Sequence, residues 1–287
     1  MTLPNFVIAG VKKASTTSLY YYLDQHPQIF MSPIKEPKFF AYDPRDPECV
    51  NADHNRFPVR TLSDYEMLYA DANGAHALGE ASPLYIDSQF ALEQMAQLIP
   101  NVRLIFSLRQ PVERAYSLYL MGIRDGVERR SFYEAVRNDL GRWQGFQYYQ
   151  ALKPWFERFG ANQIRVVLFE DLKKDPVGIT QSLYEFLGVD STFVPDTSEK
   201  HNVGGVPKNM VLQRTVTSIR RSRLRKFIVD YVPQSWRSAY THMHKRNLQK
   251  APPMPADAAY LLQDLYSDDV RALETLLQRD LSIWKLS

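Results

Sequence analysis

The feature that most constrains this chain lies in its first 25 residues. Phe6-Val7-Ile8-Ala9 is a short apolar, β-rich run and predicts a buried strand. Small and basic residues follow from Gly10 to Ser15. Thr16 to Gln25 then predicts a helix, with Thr16 or Thr17 as its cap, Leu19, Tyr22 and Leu23 on one face, and Pro27 beyond its end. Unpaired N–H groups and the helix dipole make such an N-terminus a place for an anion. Ala14 and Ser15 are small enough for close backbone approach, Lys12 and Lys13 bring positive charge, and Thr16, Thr17 and Ser18 bring hydroxyl donors. The segment therefore predicts a phosphate or sulfate site. On its own it suits equally a Thr-capped helix with two surface lysines.

The loop is not that of a nucleotide triphosphatase, in which Gly stands immediately before the Lys and Ser or Thr follows it. Here the Lys precedes the small residues. Nor does a strand end in an Asp suited to Mg²⁺, because Ile105-Phe106-Ser107-Leu108 runs into Arg109.

Beyond the first unit, further strands are predicted at Ala77 to Glu80, Val102 to Leu108 and Ile164 to Phe169. Helices are predicted at Ser63 to Tyr69, Ser88 to Leu98, Pro111 to Arg124, Phe132 to Asn138 and Phe146 to Phe159, while Pro33 to Pro47 reads as loop. Strands alternating with helices predict an α/β fold, a central parallel sheet flanked by helices in three layers, with a mainly helical last third. The apolar period of Pro255 to Trp284 predicts a helix packed across that sheet.

The chain has 287 residues and a net charge of only +3. That charge is uneven. Residues 208–250 hold 11 Lys or Arg and one acid, leaving 24 bases against 31 acids elsewhere. The segment Arg220 to Lys226 is either a solvated cationic face or a contact for an anionic acceptor or a membrane surface. No recognition motif supports nucleic acid. One cysteine, Cys49, excludes an internal disulfide, and no His/Asp/Glu cluster implies a metal. His26, His54 and His76 read as surface or loop residues. The absence of a leader pattern and of a long apolar run predicts a soluble, cytoplasmic protein.

A second signal repeats the first. Arg109-Gln110-Pro111-Val112-Glu113-Arg114-Ala115-Tyr116-Ser117 also follows a strand and opens a helix. Arg109 sits at a strand end, where α/β proteins place ligands, and Ser117 lies two turns into the helix. Two anion sites at neighbouring strand ends call for a ligand with two separated anions.

With both motifs in place, the chain resembles the sulfotransferases that use 3′-phosphoadenosine 5′-phosphosulfate (PAPS), closest to their bacterial and heparan-sulfate-type branch. The first motif is similar to the family's 5′-phosphosulfate loop, G-x-x-K-x-G-T-T-S-L, with Gly10, Lys13, Thr16, Thr17, Ser18 and Leu19 in register and Ser15 where the family usually has Gly. Arg109 and Ser117 hold the key places of the 3′-phosphate motif. Lys35-Glu36-Pro37-Lys38-Phe39-Phe40, Gly79-Glu80-Ala81-Ser82-Pro83-Leu84-Tyr85 and Phe169 to Pro176 extend the likeness over residues 5 to 210.

The resemblance implies one sulfotransferase domain over residues 1–287. It implies transfer of a sulfuryl group from PAPS, without metal, to a hydroxyl or amine of a small-molecule, lipid or glycan acceptor. Lys13 is then placed to stabilise the leaving phosphate, Glu36 to act as base, and Lys38, where relatives often carry His, to contact substrate or stabilise charge. Glu80 is the second candidate base. Ala81 stands where relatives have a Lys. Gly204, Gly205 and Lys208 resemble a loop that closes over the cofactor, and Tyr148 an aromatic of the following helix. Two alternatives remain on the same residues, a kinase-like phosphotransferase and a non-catalytic nucleotide-binding relative.

Overall fold

A computed structural model of the chain describes residues 2–199, 206–208 and 248–285. Five parallel strands form its sheet: β1 (Phe6–Gly10), β2 (Ile29–Met31), β3 (Ala77–Ala81), β4 (Arg103–Leu108) and β5 (Ile164–Leu168). Their order is β2-β3-β1-β4-β5. All five residues of β1 are buried, as a central parallel strand covered on both faces requires.

Alternation along β1 separates two cores. Val7 and Ala9 face one layer with Leu104, Phe106 and Leu108 of β4. This layer is covered by α4 (Gln89–Leu98), α8 (Tyr148–Phe159) and the chain's end through Leu273, Leu281 and Trp284. Phe6 and Ile8 face the other layer with Ile105, covered by α1 (Thr16–Asp24) and α10 (Pro176–Leu187). Gly79 of β3 lies where any side chain would strike the Phe6 ring, its Cβ falling 2.1 Å from Cζ. The connections leaving β1 and β3 thus run through α1 and α4 on opposite faces. The carboxyl end of β1 is the topological switch point, where α/β sheets open a crevice.

The described backbone groups into two compact units. The first is Met1–Gln110, Gln147–Asn202 and Asp268–Trp284; the second is Pro111–Phe146, Val203–Ser267 and Lys285–Ser287. Short helices α2 (Pro47–Val50), α3 (Leu62–Met67) and α9 (Phe169–Lys174) belong to the first. The second contains α5 (Pro111–Arg124), α6 (Phe132–Arg137) and α7 (Leu140–Gln144), with a two-residue pair, β6 (Val206–Pro207) antiparallel to β7 (Leu248–Gln249). Within it, Glu128 is held by Arg130, 2.7 Å from its carboxylate, which keeps its pKa down at about 2. The 22-residue α11 (Ala256–Leu277) gives its first part to the second unit and its last part to the first.

Local sequence explains most helix starts. Thr61, Ser88 and Asp175 each accept the N–H three residues on, and Ser131 with Glu134 completes a reciprocal cap. Two elements escaped the sequence reading, and a third ends short of its expected length. Ile29–Met31 is a strand, although three residues at a sheet edge carry too little pattern to read. Leu140–Gln144 is a separate short helix. The predicted C-terminal helix ends at Leu277, where Gln278 takes a φ of 49°, and a 3₁₀ turn at Ser282–Trp284 follows. His26 lies in the loop between α1 and β2 and is buried there, with one ring nitrogen accepting the Gln28 N–H and the other facing the Asp190 carbonyl.

Candidate active site

The first loop leaves β1 at Gly10, whose missing side chain makes room for Ile86 and Phe106, both within 3.2 Å of a Cβ placed there. Lys13 and Ser15 both adopt left-handed backbone, with φ of 72° and 62°. The loop is tied to the neighbouring strand: Val11 donates its N–H to the Ser107 carbonyl at 2.9 Å, and the Ser107 hydroxyl donates to the Ala14 carbonyl. The cap of α1 is Ser15, not Thr16 or Thr17, and its side chain makes no capping hydrogen bond. Thr16 is buried instead. The first-turn N–H groups therefore have no side-chain cap, which suits an anion better than a Thr cap would. The left-handed position at Ser15 also gives the physical reason for Gly at that place in the family pattern.

The second loop carries Glu36. Its backbone N–H donates to the Ala81 carbonyl at 3.1 Å, and the Lys38 N–H donates to the Ser82 hydroxyl at 3.1 Å, so the loop is sewn to the carboxyl end of β3. Glu36 and Lys38 are left-handed as well, with φ of 63° and 59°. The Glu36 carboxylate lies between two cations, 3.2 Å from Lys35 Nζ and 3.4 Å from Lys38 Nζ, with its side chain 30% exposed. Its ion pairs and its openness thus coexist.

Beneath this loop lies Glu80, which has no exposed surface. The Tyr65 and Tyr85 hydroxyls donate to one oxygen, each at 2.8 Å, and the Ser82 hydroxyl donates to the other at 2.6 Å. Burial pushes its pKa up to about 7; the three hydroxyls pull it down, and Glu36 nearby adds to the rise. Phe39 stacks on Tyr65 with ring centroids 4.4 Å apart, and the Phe40 N–H faces the Tyr85 hydroxyl. Glu80 is enclosed and fully bonded, which suits a hub holding the loop rather than a base open to an acceptor.

Arg109 follows β4, half-buried, with its guanidinium 4.7 Å from the centroid of the Phe169 ring. Tyr148, read as core, is buried and also donates its hydroxyl to the Arg109 carbonyl at 2.7 Å. Lys13, Glu36, Lys38 and Arg109 thus belong to the first unit and follow the carboxyl ends of β1, β2 and β4. Ser117 lies half-buried on α5 in the second unit, and Lys208, exposed, just past β6. Gly204, Gly205 and the Arg220 to Lys226 segment lie outside the described residues.

Three contributors escaped the sequence reading. Ser107 was read only as strand. Glu170 links Gln110 to Trp284 across a separation of 114 residues from the latter. Asp269, buried with its pKa raised by that burial, accepts the N–H groups of Tyr148 and Tyr149 at the start of α8. No local motif announces such pairings.

The pattern of the sulfotransferase family matches residues 4–193. The chain belongs to the sulfotransferase family. It shares 28% identity with a crystallised sulfotransferase from Alicyclobacillus acidocaldarius, with 99% of each chain covered and a TM-score of 0.73. It is 27% identical over 206 residues to the human bifunctional heparan sulfate N-deacetylase/N-sulfotransferase 2. That match takes in 65% of this chain and 22% of the relative, so the chain corresponds to about a fifth of that protein's length. The membrane-associated sulfotransferase kil1 of Dictyostelium discoideum is 32% identical over 124 residues, 43% of this chain and 24% of the relative. The sulfotransferase domain of the curacin biosynthetic pathway, 16% identical with a TM-score of 0.51 and 98% and 99% of the two chains covered, shares the fold.

Proposed function

We propose that this chain transfers a sulfuryl group from PAPS to a hydroxyl or amine of a small-molecule, lipid or glycan acceptor. The observation that carries this reading is the pairing of two strand ends. Lys13 and an uncapped helix N-terminus follow β1, and Arg109 follows the adjacent β4. The residues fit the donor: Gly10 and Ala14 keep bulk away from the loop, and the α1 N-terminus offers N–H groups to a phosphosulfate.

When bound, the donor supplies the sulfuryl group and a phosphate as leaving group. Lys12, Lys13 and residues 14–18 hold its 5′ end. Arg109 meets the 3′-phosphate, and Ser117, Gly204, Gly205 and Lys208 enter on their motifs in the sequence. Glu36 takes the proton from the acceptor as its oxygen or nitrogen becomes a nucleophile. Lys35 and Lys38 hold that carboxylate in place. Lys13 faces the negative charge that grows on the leaving oxygen. Residues 1–287 act in this reading as one functional domain in the cytoplasm; among the described residues no helix is long and apolar enough to cross a membrane.

The test is a calorimetric titration with 3′-phosphoadenosine 5′-phosphate, followed by an acceptor screen with sulfur-labelled PAPS. Binding with label transfer is expected. Absence of binding in folded protein rejects the reading.

A further inference from the structure

The peptide plane between Arg109 and Gln110 is pinned at both of its polar ends. Its carbonyl accepts the Tyr148 hydroxyl at 2.7 Å, from α8. Its N–H donates to Glu170 Oε1 at 3.0 Å, from α9. A peptide is planar, so fixing both ends fixes its orientation, and with Leu108 paired to Leu168 in the sheet the Arg109 Cα lies between two fixed positions that together set where its side chain departs. The other oxygen of Glu170 accepts the Trp284 indole N–H at 3.0 Å, and the Gln110 side chain donates to the Trp284 carbonyl at 3.0 Å. Tyr148 is itself set by Asp269, which accepts its backbone N–H.

The guanidinium is held separately. Phe169, the residue before Glu170, presents its ring to Arg109 at 4.7 Å. A cation over an aromatic face is attracted by the ring quadrupole, and a planar guanidinium stacks there while its edge donors stay available. One short segment, Phe169-Glu170, thus controls both the backbone and the charged tip of Arg109. A clamp that served only to join β4 to β5 would have no need to hold both.

We propose that Glu170, with Phe169 and Tyr148, is a positioning group for Arg109 that sets the selectivity of the donor site for a ribose 3′-phosphate over a 3′-hydroxyl. This rests on the reading that Arg109 meets the 3′-phosphate. A point charge can attract a phosphate from many angles, but a guanidinium makes paired hydrogen bonds only when its plane is aimed. Loosening the plane therefore reduces the preference for the 3′-phosphate and leaves binding of the 5′ end unchanged.

The experiment compares 3′-phosphoadenosine 5′-phosphate with adenosine 5′-phosphate by calorimetry. The proteins are the wild type, Arg109→Ala, Glu170→Gln and Tyr148→Phe, with each fold checked by circular dichroism and thermal unfolding. Wild type should prefer the bisphosphate, and Arg109→Ala should lose that preference. Glu170→Gln and Tyr148→Phe should each lower the affinity ratio by about fivefold to tenfold, the scale of one ordinary hydrogen bond. Adenosine 5′-phosphate should bind them all alike. Tyr148→Phe keeps the ring in the core, so it carries the test if Glu170→Gln does not fold. Folded variants that keep the wild-type ratio while Arg109→Ala loses it overturn the proposal and leave the donor reading standing. An Arg109→Ala protein that keeps the ratio overturns both.

Discussion

The loop after β1 and the loop after β2 each place two non-glycine residues, two positions apart, in left-handed backbone: Lys13 and Ser15 in one, Glu36 and Lys38 in the other. Such positions cost energy and persist where the surroundings enforce them. The enforcement differs. Backbone and hydroxyl bonds to Ser107, on the neighbouring strand, hold the first loop. The second is held through Ser82 and Tyr85 by a buried carboxylate, Glu80. None of the bonds named for the first loop involves a group that titrates near neutrality, whereas the second stands on one whose pKa is about 7. In the proposed reaction the acceptor side is therefore coupled to pH through Glu80, whereas the bonds from Ser107 to the donor side are not.

The sharpest test of that division is on turnover. Lys13→Ala should lower kcat by about 10²–10³-fold, the usual loss when a group facing transition-state charge is removed. Quenched-flow or steady-state label transfer measures it, and a loss below tenfold would take Lys13 out of the leaving-group role. Glu36→Gln should cost about 10²-fold in kcat, since it removes the base, while affinity for 3′-phosphoadenosine 5′-phosphate stays within about twofold. Equal loss of affinity would instead assign Glu36 to the donor side and erase the contrast between the loops.

Next in size is a stability effect. Between pH 4.5, the ordinary Glu value, and about 7, the folded chain keeps a proton on Glu80 that the unfolded chain has released. The native state then binds more protons than the unfolded one, so this group's contribution to stability falls as pH rises across the window. The fall amounts to about 3 kcal/mol. Urea unfolding at pH 5 and pH 8 reads it. Glu80→Gln should flatten that slope, and an unchanged slope would remove Glu80 as its source. Glu128 in the second unit is the opposite case. With its pKa held at about 2 by Arg130, its stabilisation is present above pH 4.5 and is lost as pH falls towards 2.

The smallest effect separates the loops most directly. Ser15→Gly relieves a left-handed residue and should stabilise by about 1 kcal/mol, a rise in Tm of about 2–4 °C. Lys38→Gly relieves the same strain but removes the ion pair with Glu36, so its gain should be smaller. Equal gains by differential scanning calorimetry would show the loops to be equivalent.

Much of this architecture could be read from the chain alone. The apolar runs of β1, β4 and β5 and the Pro-initiated α5 declare themselves, and Lys13, Arg109 and Glu36 fall on recognisable motifs. What could not be read depends on convergence. Tyr65, Ser82 and Tyr85 look like ordinary core or turn residues until the fold aims three hydroxyls at one carboxylate. Ser15 looks like a neutral change until its φ shows why Gly is usual there. Asp269 looks like any acid on a helix until the start of α8 is found waiting for it.

The partners of Trp284 have a consequence for how the protein is made. Gln110 emerges from the ribosome 174 residues before the carbonyl that it meets. At about 5–20 residues per second, the end of β4 waits roughly 10–35 s for its final constraint. The nascent chain can assemble its sheet during that interval, with Tyr148 and Glu170 already on the Arg109–Gln110 peptide, while the hydrogen bonds of Trp284 with Glu170 and Gln110 come last. The last bonds around the end of β4 are thereby tied to the order of translation, and a chain halted short of residue 284 would lack those that Trp284 makes with Glu170 and Gln110.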